Sequence, residues 1–354
     1  MRGKWSLIAL GVVAVVLAAA ALFAGSLILP GKPNSVPGLT FAGFIPLPKG
    51  PKAGMLSVLD YMTIYNRDLY VTSESDGSVY RVGLDLEGDP GAAKVEVLSG
   101  DPAAHGVVID PVSHMGFVTK SEVNRVDGFN PSNLKMLGGI PVAGDADGLF
   151  YEPNARLIYA VHGDPHTATV IDPATRSRVG MIDLGGKPEF AVFDARTGRI
   201  YQNLADINAI AVVDVAARRV VETWPLTRCR APTSIALDPG DRRLFVVCKD
   251  NSQLVVVDMN SHKVVANLPV GGGPDSVAYD PDLHRLYSAG VAGVLTVIEQ
   301  DGPNTYHRLG AVKTHYGAHT LAVDPVSHRV YVAYASVLVG PRLAVFDAAD
   351  GAKR

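Results

Sequence analysis

The stretch that decides the fold runs from Ser234 to Gly290: "SIALDPGDRRLFVVCKDNSQLVVVDMNSHKVVANLPVGGGPDSVAYDPDLHRLYSAG". Within it "ALDPGDRRLF" (236–245) returns 42 residues later as "AYDPDLHRLY" (278–287). In each copy an acidic residue precedes an aromatic one by seven positions. The same pairing recurs as Asp110 with Phe117, Glu152 with Tyr159, Asp194 with Tyr201, Asp238 with Phe245, Asp280 with Tyr287 and Asp324 with Tyr331. An irregular earlier copy, "DYMTIYNRDLY", pairs Asp60 with Tyr70 across three extra residues. The aromatic anchors are spaced by 47, 42, 42, 44, 42 and 44 residues. A near-constant period of this length marks a repeat architecture.

Each repeat has the same internal order. A period-two run ends in the acidic residue ("SVAYD", "FAVFD") and predicts a strand. Asp-Pro and polar residues make a turn. A second apolar run follows ("RLFVVC"), then a third ("LVVVD", "IAVVD", "LAVFD"), then a shorter mixed fourth ("KVVANLPV", "RVVETWPL"). Val, Ile, Tyr and Phe dominate, as strands prefer. Four strands per repeat and seven repeats predict an all-β, seven-bladed β-propeller. The last repeat lacks material for a fourth strand after "RLAVFD", and residues 41–47 are expected to supply it, closing the ring.

The period and phrases resemble the YVTN-type seven-bladed propellers, an exported family that includes surface-layer and YncE-like proteins. "LYVTSE" (69–74) carries the resemblance, with looser copies "VYVAYA" (330–335) and "LFVVCKD" (244–250). It covers residues 40–354 and implies fold and export. It implies no catalytic residues, because the family signature contains none and one fold hosts many functions.

The 354-residue chain divides into three expected segments. Residues 5–29 carry no charge, a run of about 37 Å as a helix, with Arg2 and Lys4 before it. Residues 1–29 therefore read as a signal anchor, with the remainder outside the inner membrane by the positive-inside rule. A cleaved signal peptide is the rival reading, with "AGS" (24–26) as the processing site. Residues 30–40 are rich in Pro and Gly and read as a linker; the propeller spans 41–354. A net charge of −3 and no Lys/Arg stripe exclude a nucleic-acid footprint. No phosphate loop, dinucleotide fingerprint or nucleophile elbow occurs.

Strand order converts the repeat into a site. Residues five before each acidic anchor begin the innermost strands and ring the channel: Met55, His105, Asp147, Glu189, Thr233, Asp275 and His319. Histidine, carboxylate and methionine are metal-ligand types, which makes His105, His319, Asp147, Glu189 and Met55 candidates for a divalent metal ion. The plainer reading is a polar channel lining satisfied by water. Asp275 of the ring is a ligand-binding candidate, and loops on the same face add His162, His166, His315 and Tyr316, with Asp164 between the first two. Arg228 and Arg230 also lie there, suited to a carboxylate or phosphate, with Lys249 and Asp250 as neighbouring charges that pair with them on the plainer reading. Cys229 and Cys248 approach the same face of one blade and are expected to form a disulfide, which an exported compartment permits. The acidic anchors themselves are read as turn caps. Function divides between a propeller binding a small molecule or envelope protein at one face, a metal-dependent enzyme (a lactonase-like hydrolase or redox propeller) at the channel, and an inert structural module of the envelope.

Overall fold

The repeat becomes seven four-stranded antiparallel sheets among the described residues. The computed structural model describes residues 32–49, 58–84, 88–100, 103–334, 338 and 340–349. The expected anchor, residues 1–29, lies outside them. No helix among the described residues is long and apolar enough to cross a membrane; the helical elements are three short 3₁₀ turns.

The innermost strands are Leu59–Tyr65, Ala104–Ile109, Ala146–Glu152, Pro188–Asp194, Pro232–Asp238, Pro274–Asp280 and Thr320–Val323, for blades 1 to 7. Each packs against the next, and blade 7 packs against blade 1. The last blade is completed by Leu39–Pro46, which pairs antiparallel with Arg342–Ala348 as its outermost strand. Pairing thus starts two residues earlier than expected and takes in the end of the presumed linker. Blade 6 differs at its outer edge. Its third and fourth strands, Val294–Gly302 and Thr305–Lys313, are nine residues each.

Alternation explains the core. Side chains of one parity on each strand point at the preceding blade and those of the other parity at the following one. Seven apolar clusters result among the described residues, one between each pair of neighbours. The aromatic anchors fill them: Tyr70, Phe117, Tyr159, Phe245, Tyr287 and Tyr331 are at most 1% exposed. Burying such a side chain contributes about 1.5–3 kcal/mol each, so the blades are held mainly by their mutual faces.

The acidic anchors cap their own turns as expected. Asp110 Oδ1 accepts from Val112 N at 3.0 Å, and Asp238 and Asp280 do the same for Gly240 and Asp282. They also do something the sequence did not suggest. The second oxygen of Asp194 accepts from Arg242 of the next blade at 2.8 Å, and that of Asp280 from His328 at 2.8 Å. Arg242 and His328 occupy the left-handed turn position four residues after the following anchor. The turn of one blade is therefore latched to the strand end of the one before.

Blade 1 corrects the irregular repeat. Its first turn is a two-residue hairpin, Asn66–Arg67, between paired Tyr65 and Asp68, with Asn66 in the left-handed region. Tyr65 takes the anchor's place. The three extra residues assigned to this blade were a missing pair in the turn, and the register of Asp60 shifts accordingly.

Chain closure has its own fastening. Arg285, 1% exposed, donates from Nη1 to the carbonyls of Gly38 and Ala349, both at 2.9 Å, and from Nη2 to Glu299 at 3.1 Å. One guanidinium of blade 6 therefore holds the backbone on both sides of the seam. Gly38 sits at φ +72°, and a Cβ there would lie 2.7 Å from Arg285 Nη1, so glycine is required twice over.

Candidate functional site

The mouth of the axis is built by a defect repeated in blades 1 to 6, in blade 6 between Pro274 and Ser276. The inner strands lose register with their partners after the first residue: between Leu59 and Met62, Ala104 and Val107, Ala146 and Leu149, Pro188 and Ala191, and Pro232 and Ile235. Such bulges re-aim the residues they contain. The second residue of each strand forms the ring: Asp60, His105, Asp147, Glu189 and Thr233, with Asp275 at the same place in blade 6. His319 stands just before the inner strand of blade 7. The blade 1 position belongs to Asp60. Met55, which the uncorrected repeat placed there, lies outside the described residues. Reading the hairpin of blade 1 from Tyr65 is the signal that would have found Asp60.

The ring brings three of these groups together. His105 Nδ1 lies 2.6 Å from Asp60 Oδ2 and 3.7 Å from Asp147 Oδ1, while Nε2 meets Ser121 Oγ at 3.1 Å. One nitrogen, and one oxygen from each carboxylate, all fall within 4.8 Å of one another. Burial alone would lower the His105 pKa, but the hydrogen bond and charge of Asp60, with Asp147 behind, raise it to about 9. Asp147 is pushed up to about 7, first by desolvation and then by repulsion from Asp60, against the attraction of His105. Glu189 also rises to about 7, by desolvation and then the charge of Asp275. Asp275 is matched by Lys249, whose Nζ lies 3.0 Å away. The mouth therefore holds more carboxyl groups than fixed cations, in surroundings that resist leaving all of them ionised.

Below the ring the axis is closed. Tyr61 follows Asp60 in blade 1 and Phe190 follows Glu189 in blade 4. Their rings stack with centroids 4.4 Å apart and planes 15° apart. Blades 1 and 4 are separated by two others, so this contact crosses the axis. The equivalent positions in blades 2, 3, 5 and 6 are Gly106, Gly148, Ser234 and Ser276, which leave the two aromatics room. A Cβ on Gly148 would lie 2.9 Å from Tyr61 Oη. Desolvation by burial, then the charges of Asp147 and Asp60, hold the Tyr61 hydroxyl well above the usual range and protonated. The site is a cup with an aromatic floor.

The other expected residues distribute as follows. Thr233 turns its hydroxyl to the Pro274 carbonyl at 3.1 Å and stitches blades 5 and 6. His319 donates Nδ1–H to the Gly317 carbonyl at 2.7 Å and is outside the Asp60–His105–Asp147 group. His162 is fully buried, meeting Thr169 Oγ1 at 2.8 Å, which takes it off the ligand face. His166 is half-buried near Asp206 at 3.9 Å, and Asp164 is an exposed neighbour in the same loop. His315 is buried, stacked on Tyr334 at 5.3 Å, and beside it Tyr316 is 38% exposed. Arg228 and Arg230 are exposed on the loop entering blade 5. Lys249 pairs with Asp275 rather than with them. Cys229 and Cys248 are joined as expected, with Cα atoms 5.2 Å apart.

No protein-family model and no curated protein sequence matches the chain. Solved structures do. A chain of the Kuenenia stuttgartiensis hydrazine synthase matches with a TM-score of 0.69 at 17% identity, covering 90% of this chain and 97% of that one. A chain of a mitotic checkpoint complex matches with a TM-score of 0.69 at 12% identity, covering 91% and 92%. At such identities the likeness is one of fold.

Proposed function

We propose that this is an exported binding propeller of the YVTN type whose axial cup holds a divalent cation on Asp60, His105 and Asp147. The observation that carries the reading is the convergence of those three side chains at a closed, carboxyl-rich cup. Two carboxylates and an imidazole suit zinc, manganese or iron. The Ser121 hydroxyl on Nε2 fixes the ring orientation, as the outer partners of metal-bound histidines do. Insertion requires the 2.6 Å contact between His105 and Asp60 to widen and the shared proton to leave, so affinity rises with pH. Export and anchoring are supported by the uncharged run 5–29 and by the disulfide, which belongs to an oxidising compartment. A small molecule or an envelope protein then meets the cation from the open side.

A metal-dependent enzyme is the second reading. It is favoured by the ligand count: three protein ligands leave a coordination position open, as catalytic sites do. In that case His105, Asp60 and Asp147 would hold the ion, and Glu189, with its raised pKa, is the group placed to accept a proton.

Calorimetric titration of the full-length protein in detergent with Mn²⁺ and Zn²⁺ tests the proposal. One ion per chain is expected, bound more tightly at pH 8 than at pH 6, and lost in Asp60→Asn and in His105→Ala. Absence of stoichiometric binding at pH 8, or binding that both variants retain, would refute it.

A further inference from the structure

The loop from blade 4 into blade 5 is built more firmly than its length requires. Arg228 has φ +66° and Ala231 φ +50°, a conformation that L-residues adopt only when their surroundings impose it. Several ties impose it here. Cys229 between the arginines is bonded to Cys248. Asn251 donates to the Arg228 carbonyl at 2.9 Å and accepts from Arg230 N at 3.0 Å. Asn208 accepts from Ala231 N at 2.8 Å. Lys249 N and Asp250 N donate to the carbonyls of Ala231 and Arg230.

What this scaffold presents is two guanidinium groups. Both arginines are exposed, and Asp250, the nearest acidic residue in sequence to Lys249, contributes its backbone rather than an ion pair to this loop. Arg230 precedes the ring residue Thr233 by three positions, so it stands within about 11 Å of the ring along the chain. Thr233 is uncharged, and the carboxylate of the next blade, Asp275, is already engaged by Lys249. The ring thus carries carboxylates in blades 1, 3, 4 and 6 and none in blade 5, where the loop with a fixed backbone carries the two arginines. Arginine forks match carboxylate and phosphate oxygens, and a preset loop loses little freedom on binding.

We propose that Arg228 and Arg230 form an anion clamp on the rim, seating a carboxylate or phosphate of a ligand whose other end meets the cation in the cup. The anion site stands on the loop; the ligand's two-ended character rests on the cup reading given above.

The experiment is a linkage titration of the full-length protein: Mn²⁺ affinity with and without succinate, and with and without inorganic phosphate. Because coupling is reciprocal, the anion that belongs in the clamp tightens Mn²⁺ binding by about tenfold, and Mn²⁺ tightens the anion equally. Arg228→Gln/Arg230→Gln reduces that factor to within about twofold while Mn²⁺ alone binds as before. Cys229→Ser/Cys248→Ser lowers it partway by loosening the loop. Arg196→Gln/Arg219→Gln, in the crevice of about 700 Å³ between blades 4 and 5, leaves it unchanged. Mn²⁺ binding that neither anion alters, or coupling that survives in Arg228→Gln/Arg230→Gln, overturns the clamp and leaves the cup standing. Absence of Mn²⁺ binding, with an anion affinity that the arginine variant loses, overturns the cup and leaves the clamp as an anion site. Whether succinate or phosphate couples identifies the anion.

Discussion

Replacing Arg285 by Met should open the seam of the propeller. The guanidinium makes two hydrogen bonds to backbone carbonyls, at Gly38 and Ala349, and an ion pair to the partly exposed Glu299. A hydrogen bond from a charged donor is worth about 1.5–3 kcal/mol. The two carbonyl bonds together therefore contribute at least about 3 kcal/mol, and the Glu299 contact, whose carboxylate is partly exposed, is left out of the sum. The strand that loses support, Leu39–Pro46, is an edge strand with one ladder. Opening it uncovers Leu39 and Ile45, which are buried in the clusters shared with blades 6 and 1, and leaves the farther blades untouched. The effect should appear locally: about 3 kcal/mol corresponds to roughly 100-fold faster amide exchange in Leu39–Pro46 and Arg342–Ala348. Blades 3 and 4, across the ring, should exchange as before. Arg285→Lys should recover part of the protection, since a single ammonium can reach one of the carbonyls but lacks the planar fork. Native-state hydrogen exchange read by mass spectrometry resolves these segments. Unchanged exchange at the seam, or equal acceleration in every blade, would show that the clasp does not do what its geometry indicates.

Two other outcomes follow from buried features. The Cys229–Cys248 disulfide closes a loop of 19 residues in sequence separation; on loop-entropy grounds Cys229→Ser/Cys248→Ser should lose about 3 kcal/mol in urea unfolding, and equal midpoints for both proteins would contradict this. His162 is held neutral by burial, against the pull of Asp145, with its pKa down at about 4. The unfolded chain takes up that proton near pH 6.5, before the folded one does, so this contribution is complete above pH 6.5 and falls by about 3 kcal/mol as pH drops to 4. His162→Gln should flatten unfolding free energy across that window, and parallel curves would count against the assignment.

The architecture was legible because repetition averages over local exceptions. One "DP…RLY" phrase is a weak signal, but six at near-constant spacing fix strand number, blade number and the position of the ring. Blade 1 was legible only in part. A two-residue turn replaced the Asp-Pro loop, and Asp60, sitting where an anchor was sought, absorbed the mismatch. Shifting the frame to Tyr65 moves Asp60 into the ring and completes the trio with His105 and Asp147. The stack of Tyr61 on Phe190 had no sequence signature at all. It joins residues 129 positions apart, and it depends on small residues at the other five inner positions, Gly106, Gly148, Ser234, Ser276 and Thr320, rather than on any motif. The latch from Arg242 to Asp194 was hidden for a similar reason. The alignment superimposes blades, so contacts between blades disappear from it.

The stacked pair on the axis has a kinetic meaning. With Tyr61 and Phe190 in place the centre is a dead end, not a thoroughfare, and arrival and departure share one doorway. An occupant must leave before its successor can land. Exchange is then governed by the resident's own escape rate, whatever the abundance of competitors waiting outside.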